Sequence, residues 1–225
     1  MPLAKDHSHD VKAMVKADPN AGVIYICNPN NPTGTLTSRA DIEYALNNKP
    51  AGSILLLDEA YLHFSEGQAG SDLVARDKDI IILRTFSKLY GMAGLRAGAA
   101  IGRPDLIAKL RSYGAGALPL TGMVGATASL NTATLIPERR KMNKDIRNDV
   151  FSFLAKQKFS FVPSDSNCFM LDAKRPGKEL VAAMAKEKVY IGRVWPAWPT
   201  HTRITVGTRE EMAKFQTALL KVMNS

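Results

Sequence analysis

Two patterns alternate along the chain: short blocks of consecutive apolar residues, and stretches whose apolar positions recur every three or four. The first pattern marks strands, the second helices with one buried face. Residues 22–27 (GVIYIC), 53–57 (SILLL) and 79–83 (DIIIL) are apolar runs bounded by turn formers, which predicts strands buried on both sides of a parallel sheet. A fourth strand is predicted at 97–101. Before the first run, Ser8 or Asp10 can cap a short helix carrying Val11, Met14 and Val15 on one face, stopped by Asp18-Pro19. After it, Ser38 opens a helix with Asp41 three residues on and Ile42, Ala45 and Leu46 on its apolar face. Strands alternating with helices predict an α/β fold built on a mostly parallel, doubly wound sheet.

Pro104 stands at the first position of a helix predicted to reach Arg111. A Gly-rich stretch at 114–125 is expected to be only partly regular, 126–130 to be helical, and Pro137 to start a long amphipathic helix to about Lys156. The pattern then changes. Short strands are predicted at 159–162, 168–171, 189–191 and 203–206, with helices at 177–188 and 209–223. This predicts two domains: a large one over 1–139 and a smaller C-terminal α+β one over 140–225 that includes the linking helix.

Composition narrows the class. The 225 residues are 45% hydrophobic and 23% charged, as in a soluble folded protein. No apolar run nears the roughly 18 residues of a membrane span, and the first ten residues lack the apolar stretch of a signal peptide, so no membrane partner and a cytoplasmic location are expected. Cys27 and Cys168 have no partner at metal-ligand spacing and are expected to pack as reduced residues, with no metal bound. The formal net charge of +9 raises the question of an anionic partner. The densest basic stretch, Arg139, Arg140, Lys141, Lys144 and Arg147, is interleaved with Glu138, Asp145 and Asp149 and reads as the wet face of a helix. Without aromatic interleaving or a zinc-finger spacing, it does not predict nucleic-acid binding.

In a parallel sheet, ligands collect beyond the carboxyl ends of the strands. Three polar segments fall there: the loop holding Asn31, residues 58–61, and residues 85–88. A lysine in such a loop, with hydroxyls shortly before it and an arginine eight residues on, suits a phosphate-bearing aldehyde cofactor, pyridoxal 5'-phosphate. Lys88 would form the Schiff base and later move the Cα proton, while Thr85, Ser87 and Arg96 would hold the phosphate. Asp58 would keep the ring nitrogen protonated, and Asn31 and Tyr61 would reach the phenolic oxygen. Arg203, sharing a strand face with Thr205, could grip a substrate carboxylate in two-pronged fashion. Trp195, Pro196 and Trp198 are candidates for the substrate side or for packing in the smaller domain.

NPNNPTG at 28–34, DEAY at 58–61, RTFSKLYGMAGLRAG at 84–98 and RITVGT at 203–208, in that order, resemble the class I/II aminotransferases of pyridoxal-phosphate fold type I, most closely the histidinol-phosphate aminotransferase-like branch. The resemblance implies transamination between an amino acid and a 2-oxo acid, a homodimer, and the roles just given for Asn31, Asp58, Tyr61, Thr85, Ser87, Lys88, Arg96 and Arg203. It also implies Ala60 against the ring face. It further implies that the family's N-terminal part, with half of the phosphate cradle, has no counterpart before Gly22. Two alternatives stand beside transamination: a lyase or decarboxylase on the same scaffold, and a non-catalytic remnant.

Overall fold

The computed structural model describes residues 1–114 and 116–224; Ala115, inside the expected Gly-rich stretch, and Ser225 lie outside the described residues. Two compact units are present, one of residues 1–30 and 36–140, the other of residues 31–35 and 141–225.

The first unit holds a four-stranded sheet of β1 (Val23–Cys27), β2 (Ile54–Asp58), β3 (Ile80–Thr85) and β4 (Gly98–Gly102), in that spatial order. The first three strands are parallel and β4 returns antiparallel, Thr85 opposite Gly98. The helices are α1 (Val11–Lys16), α2 (Arg39–Asn48), α3 (Ser71–Ala75), α4 (Pro104–Arg111), α5 (Leu120–Leu130) and the start of α6 (Leu135–Lys156). Asp10, not Ser8, caps α1, and Ser38 caps α2 by accepting from the Asp41 N–H. One face of the sheet is the core: Ile24, Ile26, Leu55, Leu57, Ile80 and Ile82 cluster with Val11, Val15, Ile42, Ala45 and Leu73 of the helices. Full burial of each such side chain contributes about 1.5–3 kcal/mol.

The sequence predicts apolar runs covered on both sides, and β1 departs from this. β1 alternates, with Val23 and Tyr25 about half exposed between buried neighbours. Consecutive residues of a strand point to opposite faces, so a run of apolar letters does not reveal that one face stays open. α5 also departs from expectation, since it begins at Leu120 and contains Gly122 and Gly125. A Cβ at Gly122 would lie 2.5 Å from the Leu95 carbonyl oxygen and one at Gly125 2.8 Å from the Met92 methyl, so these glycines let the helix pack closely on the turn at 92–95. α6 starts two residues before Pro137.

The second unit holds an antiparallel sheet of β5 (Ser160–Val162), β6 (Cys168–Asp172) and β7 (His201–Thr205), in that order. It also holds the later turns of α6, with α7 (Gly177–Lys186) and α8 (Arg209–Met223). Phe169, Leu171, Leu180, Met184, Phe215 and Leu219 form its core with Val150 and Leu154 of α6. Thr208 and Glu211 cap α8 reciprocally, each side chain accepting from the other's backbone N–H. No strand forms at 189–191; Lys188 takes a positive φ, and the backbone reaches β7 just beyond, where the Gly192 N–H donates to the Arg203 carbonyl and the Arg203 N–H to the Arg193 carbonyl. The basic stretch is not uniformly wet either. Arg147 is only 4% exposed, its Nη1 donating to the Ser166 carbonyl at 2.8 Å, whereas Lys141 pairs with Asp145 at the surface. Both cysteines are buried and neither forms a disulfide, as expected. Among the described residues no helix is long and apolar enough to cross a membrane.

Gly34 and Gly52 share a left-handed backbone, at φ 74° and 77°, but not their surroundings. A Cβ at Gly34 would fall 1.8 Å from Ser164 Oγ, whereas nothing lies within 4 Å of one at Gly52. Gly52→Ala should therefore cost about 1 kcal/mol and Gly34→Ala about 3 kcal/mol or more, read from the two urea midpoints.

Candidate functional site

In the first unit the expected residues converge on the carboxyl ends of β2 and β3. Asp58 is the last residue of β2, level with Cys27 of β1 and Leu83 of β3, so it shares the open face of the sheet with Tyr25 and Thr85. Its two oxygens have separate donors: Oδ1 accepts from the Ala60 N–H at 3.0 Å and Oδ2 from the Tyr25 hydroxyl at 2.7 Å. Burial first, and then Asp58, push the Tyr25 hydroxyl well above its ordinary value, so it remains a donor. The chain then turns through a 3-10 segment at Leu62–Phe64. Tyr61, just before it, is buried, and the exposed Lys88 holds its ammonium 5.3 Å from the centre of the Tyr61 ring. Lys88 has no carboxylate partner among the described residues.

The segment after β3 is an excursion inside a hairpin. The Phe86 N–H donates to the Ala97 carbonyl at 3.1 Å, one step beyond the Thr85–Gly98 pair, so Thr85, Ser87 and Arg96 lie on the two arms of one hairpin close to its last ladder pair. Thr85 Oγ1 accepts from the Ser87 N–H at 3.0 Å. Arg96 is left-handed, at φ 55° and ψ 47°, an uncommon state for a residue with a side chain, and donates to the Ala93 carbonyl at 2.6 Å. The loop also closes on itself through Gly91 N–H to the Lys88 carbonyl and Met92 N–H to the Phe86 carbonyl. Arg139 Nη1, from α6, holds the Leu89 carbonyl at 3.0 Å.

Beneath these residues lies an ion pair that sequence reasoning missed. Glu59 and Arg84 each sit next to an expected site residue and, by strand alternation, point to the opposite, buried face. Glu59 is 1% exposed; Oε2 accepts from Arg84 Nε at 2.6 Å and Oε1 from the Gly70 N–H at 2.7 Å. Burial pushes the Glu59 carboxyl upward, against the opposing charge of Arg84. Arg84 Nη1 reaches His63 Nε2 at 3.1 Å, which makes that nitrogen the acceptor. Reading DEAY and RTFSK as motifs drew attention to their aspartate and lysine. The adjacent Glu59 and Arg84 could have been flagged as charges at positions that continue the buried alternation of Leu55, Leu57 and of Ile80, Ile82.

The remaining two expected residues are in the second unit. Arg203 of β7 donates from Nη1 to Asn31 Oδ1 at 3.1 Å, and its Nε is buried with no hydrogen-bond partner. The segment 31–35 is held in that unit by the Asp165 N–H donating to the Gly34 carbonyl at 2.8 Å. In the first unit, Asn28 and Thr37 close the base of the same loop: Asn28 Oδ1 accepts from the Thr37 N–H at 2.8 Å, and its Nδ2 donates to the Thr37 carbonyl at 3.2 Å.

Residues 1–219 match the family model described as aminotransferase class I and II. The chain belongs to that family. It is 35% identical to a histidinol-phosphate aminotransferase of Bacillus velezensis, over 99% of this chain and 64% of that relative. It therefore spans less than two thirds of that relative's length. A solved Erwinia carotovora atroseptica protein, provisionally named histidinol-phosphate aminotransferase, is 31% identical with a TM-score of 0.93, covering 100% of this chain and 67% of that one. The fold is also that of the histidinol-phosphate aminotransferase of Sinorhizobium meliloti solved with pyridoxal-5'-phosphate, at a TM-score of 0.89 and 22% identity, over 100% and 63% of the two chains.

His63 gives the first unit a pH signature. Burial, and then the charges of Arg84 and Arg140, hold it down at about 4 from an ordinary 6.5. The neutral ring's contribution is complete above about pH 6.5 and is lost as the pH falls towards 4, because unfolding then takes up a proton. His63→Gln keeps an acceptor for Arg84 without titrating. Its urea midpoint should fall less steeply between pH 6.5 and 4 than that of the unsubstituted chain.

Proposed function

We propose that this chain carries the lysine side of a pyridoxal-phosphate aminotransferase site, with an amino acid and a 2-oxo acid as substrates. The observation that carries the reading is the set of groups at the ends of β2 and β3: a carboxylate fixed by two donors, an amine over an aromatic ring, and two hydroxyl residues and an arginine carried by one hairpin. The donor set fits the cofactor, having an acceptor for a ring N–H, an amine for an aldehyde and three donors for a phosphate. When bound, pyridoxal phosphate supplies an electron-poor ring that accepts the pair left as a Cα bond breaks.

Asp58 is assigned to the ring nitrogen, Ala60 to the ring face, and Tyr61 and Asn31 to the phenolic oxygen. Thr85, Ser87 and Arg96 are assigned to the phosphate, the arginine through a fork that a lysine does not reproduce. Lys88 is the catalytic residue: its amine holds the cofactor's aldehyde and, once displaced by substrate, moves the proton at the substrate Cα. Arg203 is assigned to the substrate carboxylate; its orphaned Nε supports this, since a buried donor without a partner costs about 1–3 kcal/mol that a ligand can recover. The family match and the carboxylate-binding chemistry of Arg203 favour transamination over a lyase or decarboxylase reaction, although the scaffold alone does not fix which bond breaks.

Chain treated with pyridoxal phosphate and then borohydride should retain cofactor mass on the peptide holding Lys88, and Lys88→Ala should retain none; an unlabelled Lys88 peptide in the unsubstituted chain would sink the assignment. Arg203→Ala should slow the half-reaction with amino acid by about 10-fold or more and weaken the cofactor by clearly less, the smaller loss passing through Asn31, which Arg203 Nη1 holds at 3.1 Å. Equal losses would make Arg203 structural. The chain is further assigned to a homodimer, to be read by sedimentation as twice its 24.5 kDa.

A further inference from the structure

We propose that Tyr25 is a positioning residue for the cofactor's ring nitrogen, acting through Asp58; this rests on the assignment of Asp58 made above. Tyr25 is level with Leu56 of β2, and the next position on the same strand face, Cys27, is level with Asp58. The Tyr25 side chain thus runs along the open face towards the carboxylate and reaches it at 2.7 Å. The hydroxyl is what distinguishes it from an apolar strand residue. At 47% exposure the ring lies outside the core of the unit, and a phenylalanine would offer the same hydrocarbon surface.

The consequence is geometric. A carboxylate held at one oxygen can swing about its Cβ–Cγ bond, whereas Asp58 is held at both, Oδ1 by the Ala60 N–H and Oδ2 by Tyr25. Each oxygen keeps a further lone pair, so the group remains able to accept a third donor, with its plane already set. An acceptor oriented before its ligand arrives loses no further freedom on binding. Ala60 supplies its restraint from the backbone, where substitution does not remove it. Tyr25 supplies the restraint that a side-chain change can delete.

The test compares pyridoxal phosphate with its analogue in which the ring nitrogen is replaced by C–H. The analogue keeps the aldehyde and phosphate but offers Asp58 nothing. Tyr25→Phe should weaken pyridoxal phosphate by about tenfold, leave the analogue within about twofold, and leave the urea midpoint unchanged. Adding Tyr25→Phe to Asp58→Asn should produce no further loss, because the hydroxyl acts only through the carboxylate. Equal weakening of both ligands would make Tyr25 a wall of the site, and no weakening of either would remove it from the site; each result overturns the proposal while the Asp58 assignment survives. If Asp58→Asn weakens both ligands equally, or the unsubstituted chain binds neither, the assignment beneath the proposal fails first.

Discussion

The contact between Glu59 and Arg84 fixes where the expected chemistry of the first unit can stand. It bridges the ends of two adjacent parallel strands on their buried face, and the residues next to each partner, Asp58 and Thr85, face the other way. A one-residue slip of either strand would bring the charges to the open face and turn the site residues inward. Removing one partner would leave a charge buried alone, which costs about 3–5 kcal/mol. The pair is thus a register lock, and its value lies in the geometry it excludes more than in the energy of the contact itself.

Beyond the lock, the order is maintained by backbone hydrogen bonds. One hydrogen bond beyond Thr85–Gly98, from the Phe86 N–H to the Ala97 carbonyl, closes the base of the excursion that carries Ser87, Lys88 and Arg96. The left-handed Arg96 costs on the order of 1–2 kcal/mol. The closures at Lys88–Gly91 and Phe86–Met92 hold it there, together with the close approach of α5 that Gly122 and Gly125 allow.

The α/β class, the helix cap at Ser38 and the burial of both cysteines follow from local pattern and are readable in the sequence. What was not readable depends on partners distant in the chain. The open face of β1 hides behind an unbroken apolar run, and Arg147 reads as surface because its acceptor, the Ser166 carbonyl, is 19 residues away. Residues 189–191 have strand composition, yet the backbone bonds to β7 come from Gly192 and Arg193 just after them, and no ladder forms. Motif residues were legible as a set because their spacing is specific. Their supports were not: Tyr25, Glu59, Arg84 and Asn28 look like ordinary strand and loop residues until their hydrogen bonds are known.

Orphaned donors by themselves do not mark a site in this chain. Arg147 and Arg175 also have a buried Nε without a partner, and neither is among the residues that the motifs single out. Arg147 is closed in on itself, its Nη1 committed to Ser166 and its side chain nearly inaccessible. Arg203 differs in that it stands on a half-exposed strand face, with one guanidinium nitrogen committed to Asn31 and another unmet. Asn31 lies 172 residues earlier, in a loop whose turn depends on a glycine that leaves room for Ser164. Arg147 and Arg175 also have one terminal nitrogen held, by the Ser166 and Val222 carbonyls, so a held arm beside an unmet Nε is common to all three. What sets Arg203 apart is that it holds the side chain of Asn31, another motif residue, whereas Arg147 and Arg175 hold only backbone carbonyls.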